Sequence, residues 1–271
     1  MLSQPSSFTD VIKSKFLAIL FDQLEVRSVA MVTQTMLSLY SYNATTGVVL
    51  DVGEKIEVLP VVNGYVVEGG VMRLPLGGQR LCEVMNSYLI NRKVRFASNA
   101  EFLLARYAVE KLCFVSMDYT DDHEQCLESS QDFKSTVPLL GPLTSDLGRF
   151  KSPEGFFNPE IWGVDNDSVQ KLVLRSIGQC PIDSRRQMWR NIYLTGGVTM
   201  LPNFKERLQL ELNRLTPDNV VVQVHASWFR YHSSYVGACV LANLESFQRS
   251  CVNREEWMSL GDGCLKKMSG Y

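Results

Sequence analysis

NIYLTGGVTMLPNFKERLQLEL, residues 191–212, decides how the rest of the chain is read. An apolar run ends in Thr195, glycines follow at 196 and 197, and Pro202 opens an amphipathic segment. Proline is tolerated in a helix's first turn. Phe204, Leu208, Leu212 and Leu215 then recur on one stripe at the helical interval. The stretch is therefore a strand, a glycine turn and a helix. Glycines at such a seam serve a tight turn, or they let a ligand approach backbone N–H groups with no Cβ in the way.

The same grammar recurs on both sides of that stretch. TGVVLDVG reads as a strand closing on Asp51-x-Gly53, KIEVLPVV as a strand with Pro60 inside it, and NGYVV as the start of a hairpin turned by Asn63-Gly64. Spacing predicts helices over 8–22, through MVTQTMLSLY, over 79–91 and 99–114, from 167 to Pro181, and over SRRQMWRN and SSYVGACVLANLESF. NVVVQVHA reads as a strand. Residues 119–153 lack periodicity and read as an exposed loop with one short hairpin. Strands alternating with helices indicate an α/β class, with mixed sheets flanked by helices.

Bulk numbers narrow the function. With 271 residues, 45% of them hydrophobic, the chain can bury a substantial core. Lys plus Arg number 27 and Asp plus Glu 29, a formal charge of −2, which argues against nucleic-acid binding and anionic membranes. Seven cysteines without a CxxC pair read as free thiols of a reducing compartment. The three histidines have no ligand-like spacing. No apolar run approaches the roughly 20 residues that span a bilayer, so a soluble, intracellular protein is expected.

Asp51, at a strand end before a glycine, is placed to hold Mg²⁺ through water beside a polyphosphate, or simply to cap the turn. Arg106 and Glu110 are an i,i+4 pair that suits any helix surface. Taken in order, the motifs resemble the actin family over nearly the whole chain. QTMLSLYSYNATTGVVLDVGE is similar to its connection helix and second phosphate loop, and YAVEKLCFVSMDY to its adenine-pocket helix. The opening stretch resembles the adenosine-binding turn, and SSYVGACVLANLESF the second connection helix. LPLGG and CPIDSR lean toward divergent actin-related proteins of the pointed-end dynactin type.

This resemblance implies a partial actin-like fold, the fold of the actin, Hsp70 and hexokinase ATPases. Residues 1–41 and 233–271 would form a remnant of the first subdomain, exposing a sheet edge and apolar surface. Residues 42–76 and 165–232 would form the third subdomain, and 77–164 the fourth. Gln34 would orient the attacking water and Asp51 would lie near the metal. Gly53 and Glu54 would belong to the phosphate loop, Arg106 and Glu110 to the adenine and ribose contacts, and Gly196, Gly197 and Met200 to the adenosine turn. Tyr40, Leu241 and Leu244 would line the groove where partner helices dock.

Departures from the family pattern weigh against hydrolysis. The first phosphate loop and second subdomain have no counterpart, Val52 replaces a Ser, and Glu57 stands where the family has a His. Val109 and Tyr231 replace Lys residues that flank the adenine. The expectation is an actin-related structural or adaptor protein of a cytoskeletal assembly, cytoplasmic, with other actin-like or cytoskeletal proteins as partners. ATP or ADP with Mg would be held unstably if at all, and neither nucleic acid nor membrane insertion is expected. The alternatives are a nuclear actin-related subunit of a chromatin-remodelling complex, or a nucleotide-binding actin-like ATPase whose N-terminal part is missing from this sequence.

Overall fold

A computed structural model describes residues 1–90, 100–136 and 144–268. Its centre is a six-stranded mixed sheet. Across the sheet run Val224–His225, Ile192–Thr195, Gly47–Val52, Ile56–Val62 and Tyr65–Val66, with Met72–Leu74 pairing the same outer side of Ile56–Val62. The first three are mutually parallel, and Gly47–Val52 meets Ile56–Val62 antiparallel. Pro60 is accommodated because its outer neighbours take only residues 56–58 and 61–62, leaving it outside their ladders. Asn63 and Gly64, with φ of 51° and 85°, supply the two positive φ values a tight hairpin turn requires.

Period-two alternation splits the core between the sheet's faces. Val48, Leu50, Val52, Ile56 and Val58 join the larger cluster, packed by the helices Gly78–Ile90, Ala100–Leu112, Val169–Gly178 and Phe204–Leu215. Val49, Leu59, Val61 and Tyr193 face the other way, onto Met36, Leu37 and Leu39 of the helix Gln34–Ser41 and Leu241 of the helix Ser233–Ala242. These two helices cross at Gly237, where an added Cβ would lie 1.7 Å from the Leu37 carbonyl oxygen. Hydroxyls seal the crossing. Ser38 Oγ lies 2.9 Å from Ser234 Oγ and 3.3 Å from Thr195 Oγ1, Ser233 bonds both Ser38 and Thr195, and Ser234 donates to the Gln34 carbonyl.

Several expectations need correction. The helix at the start runs Asp10–Ala18 and continues as a π-turn over Ile19–Gln23. Its buried members are Leu17 and Phe21, while Val11 is 67% exposed and Ile12, Phe16 and Ile19 also face outward. Met31–Thr33 is a strand parallel to Leu2–Gln4 and not the start of the following helix. Residues 119–153 are not a loop: helices occupy Tyr119–Glu128, Ser130–Phe133 and Gly148–Glu154, around a short pairing of Ser135–Thr136 with Thr144–Ser145. Tyr119–Glu128 buries Cys126 alone, so no apolar stripe announces it.

NVVVQVHA pairs only at Val224–His225. Before it, Gln223 donates its N–H to the Trp189 carbonyl, and the Gln209 side chain bonds the backbone of Val222 and Val224. Pro202 precedes its helix rather than opening it. Asn203, at φ 66°, holds the junction by donating to the Val115 carbonyl. Residues 91, 99 and 137–143, to which the expected helices and loop extended, lie outside the described residues.

Candidate functional site

Sheet register builds the site. Asp51 stands between Thr195 on one neighbouring strand and Glu57 on the other. Directly opposed carboxylates repel, and burial compounds the effect. Desolvation first, and Glu57 second, push the Asp51 carboxyl up from 3.8 to about 7. Its Oδ1 is buried without a hydrogen-bond partner, and its Oδ2 accepts from Gln34 Nε2 at 3.4 Å. Glu57 is committed elsewhere, accepting from Ser6, Thr35 and Arg73. Gly196 closes against this group at φ 92°, and a Cβ there would meet Asp51 Oδ1 at 2.4 Å and the Val52 backbone at 2.5 Å.

Beside this cluster opens a cavity of about 830 Å³. Gly53, Glu54, Arg106, Glu110, Gly197 and Met200 all line it, so six of the anticipated binding residues converge although they come from three distant segments. Asp51, Gln34 and Gly196 do not line it. Arg106 Nε donates to Glu110 at 2.9 Å and its Nη2 reaches the Tyr231 hydroxyl at 3.4 Å. The Tyr231 ring in turn lies against Gly197, 3.2 Å from where a Cβ would stand.

Gly78, which the sequence does not single out as a site residue, lines one end, with Gly77 packed behind it. Gly78 N–H donates to the Gly53 carbonyl at 2.7 Å, and a Cβ on Gly77 would lie 2.3 Å from the Glu54 carbonyl oxygen. The doubled glycine of LPLGG was the available signal.

Leu81, Cys82, Val109, Val198, Leu201 and Pro202 give the cavity apolar walls. Burial pushes the Cys82 thiol up to about 11, so it is an inert part of the wall. Apolar walls, a carboxylate and side-chain-free glycine turns fit a nucleoside. They fit a polyphosphate poorly, because Arg106 and Lys111 are matched by Glu54 and Glu110 in the same lining. No cluster of three or more His, Cys, Asp or Glu that could hold a metal occurs among the described residues.

A family model described as Actin matches residues 1–268. The chain belongs to the actin family. Its mixed sheets flanked by helices are the α/β architecture that membership implies, and no helix among the described residues is long and apolar enough to cross a membrane. In this actin-family chain the anticipated groove residues separate. Leu241 is 3% exposed and packs in the core with Tyr40 against it, whereas Leu244 is 51% exposed. Leu241 is a packing residue because the Gly237 crossing draws its helix tight onto Gln34–Ser41.

Proposed function

We propose that this chain is an actin-related structural or adaptor subunit of a cytoskeletal assembly, acting among other actin-like or cytoskeletal proteins of the cytoplasm, with nucleotide hydrolysis weak or absent. The observation that supports this reading most is the charge balance of the cavity. Two cations face two carboxylates in its lining, and Arg106 is already committed to Glu110 and Tyr231. Asp51 is a buried acid whose carboxyl burial and Glu57 push up to about 7, and it does not line the cavity. Catalysis of phosphoryl transfer rests on positioning and charge stabilisation, and these residues supply little of the second.

The test has two arms. Thermal unfolding of the purified chain is followed with adenosine, ADP and Mg-ATP at millimolar concentration, and phosphate release is measured alongside. Stabilisation by Mg-ATP above that by adenosine, with steady phosphate release abolished by Asp51→Ala, would establish the ATPase alternative instead. In cells, crosslinked partners are identified from cytoplasmic and nuclear fractions. Recovery of chromatin-remodelling subunits alone would reject the cytoskeletal reading.

A further inference from the structure

The six-stranded sheet ends at Val224–His225, which pairs with Ile192–Thr195 on one side and, among the described residues, with no strand on the other. Backbone groups alternate in direction along an extended segment. Gln223 spends its N–H on the Trp189 carbonyl and its own carbonyl on the Ile192 N–H, both on the inner side. The N–H and C=O groups of Val222 and Val224 therefore point outward, off the edge of the sheet. Such an edge is a template for a further strand, and proteins commonly guard it with charge, proline or a bulge. Residues 219–228, NVVVQVHASW, contain no Lys, Arg, Asp, Glu or Pro. They are rich in β-formers, with Val221 55% and Trp228 85% exposed.

One side chain stands in for the missing neighbour. Gln209, half-buried on the helix Phe204–Leu215, donates from Nε2 to the Val222 carbonyl at 3.0 Å. Its Oε1 accepts from Val224 N–H at 2.9 Å. A carboxamide carries the donor and acceptor of a peptide unit, so Gln209 makes the bonds that an adjoining strand would make. Asn213 Oδ1, one turn further along, accepts from the same Nε2 at 3.1 Å and steadies it. Val222 is half-buried and Gln223 exposed, so this bonded pair lies at the surface. The edge is also complementary to itself. In an antiparallel pairing about a two-fold axis through Gln223, Val222 of one copy opposes Val224 of the other, and their outward groups meet as hydrogen-bonded pairs. The two Gln223 side chains would then be neighbours at the axis, neutral and able to bond.

We propose that Gln209 masks a strand-addition edge, and that displacing its carboxamide lets two copies of this chain pair through residues 222–224. The occupant is a second copy because the register is self-complementary and the segment has no charge with which to select another sequence. The inference is independent of nucleotide and of the cytoskeletal reading above.

Sedimentation equilibrium of the full chain tests this. Gln209→Met keeps the volume of the side chain and loses its amide donor and acceptor. It should self-associate about ten-fold or more tightly than wild type, and stop at a dimer. Gln223→Lys, added to that variant, sets like charges against each other at the two-fold axis and should return association to the wild-type level. Circular dichroism and thermal unfolding show whether each variant folds, and Gln209→Ala takes the place of Gln209→Met if the latter does not. A folded Gln209 variant that associates no more than wild type overturns the proposal. So does association that Gln223→Lys leaves intact, or open-ended aggregation in place of a dimer. Failure of both Gln209 variants to fold overturns it as well, because the carboxamide would then be holding the fold together and not masking an edge.

Discussion

Replacing Arg207 with Met tests whether the buried triad it forms with Glu154 and Glu211 holds the helix Phe204–Leu215 to the segments it crosses. The guanidinium makes four hydrogen bonds, two to Glu154, which is 2% exposed. Met fills much of the volume but leaves Glu154 buried without its counter-ion. Breaking a buried pair from one side costs about 3–5 kcal/mol, and at ~2–4 °C per kcal/mol the unfolding midpoint should drop by about 6–20 °C. The loss should depend on pH with a definite sign. Burial already places the Glu154 carboxyl at about 7, and Arg207 is the influence that lowers it. Without Arg207 it rises further above its unfolded value of 4.5, so the folded variant keeps a proton that its unfolded chain releases. Stability of the variant must then fall as pH climbs through that interval and beyond 7. Urea unfolding at pH 6.0 and 8.5 reads the difference, which should be larger at 8.5. The double variant Arg207→Met with Glu154→Gln removes the stranded charge and should recover more than half the loss. A single variant that loses under about 1 kcal/mol at pH 8.5, or a double variant no better than the single, would refute the reasoning.

Asp51→Asn should raise stability at pH 8 and change it little near pH 4. The wild-type carboxyl, raised to about 7, keeps its proton in the fold while the unfolded chain loses it near 3.8, so wild-type stability declines with rising pH over that window; thermal melts across pH 4–8 compare the two. Gly237→Ala should separate the helices Gln34–Ser41 and Ser233–Ala242 and cost about 1–3 kcal/mol or more, visible in urea unfolding, because its Cβ cannot sit 1.7 Å from a carbonyl oxygen. Gly196→Ala should lower the unfolding midpoint and also abolish any stabilisation by adenosine, since the new Cβ displaces Asp51 and the Val52 backbone beside the cavity. Arg106→Gln should move the midpoint by under about 1 °C, as exposed i,i+4 pairs contribute little, yet it should weaken adenosine stabilisation.

Strand–turn–helix punctuation was legible where apolar alternation and glycine agreed. Gly47–Val52, Asn63-Gly64 and Ile192–Thr195 followed by Gly196 all sit where the sequence places them. The convergence of Arg106, Glu110, Gly53 and Gly197 on one cavity came through the family resemblance, since an i,i+4 pair and a glycine turn are each common. What stayed hidden is tertiary. The Gln209 side chain takes the backbone bonds that would have extended Val224–His225, and no local pattern signals that. Asp118 capping Tyr119–Glu128 was readable as an N-cap, but an acidic, largely solvated helix gives no hydrophobic period to support it. Glu154 and Arg207, 53 residues apart, look like ordinary surface charges until the helices bearing them meet.

The crossing at Gly237 also sets a timetable. Ser234 bonds the carbonyl of a residue 200 positions earlier in the chain. At a synthesis rate of ~5–20 residues per second, the helix Gln34–Ser41 waits about 10–40 s on the ribosome before its partner emerges. Throughout that interval Met36, Leu37 and Leu39, fully covered in the finished molecule, have nothing from the C-terminal helix to shelter them. Local segments collapse in microseconds, so the nascent chain must remain an open intermediate for a time many orders of magnitude longer than its own folding steps. The feature that makes the mature core tight thus makes its biosynthesis exposed, and calls for shielding of that apolar helix until the helix Ser233–Ala242 arrives.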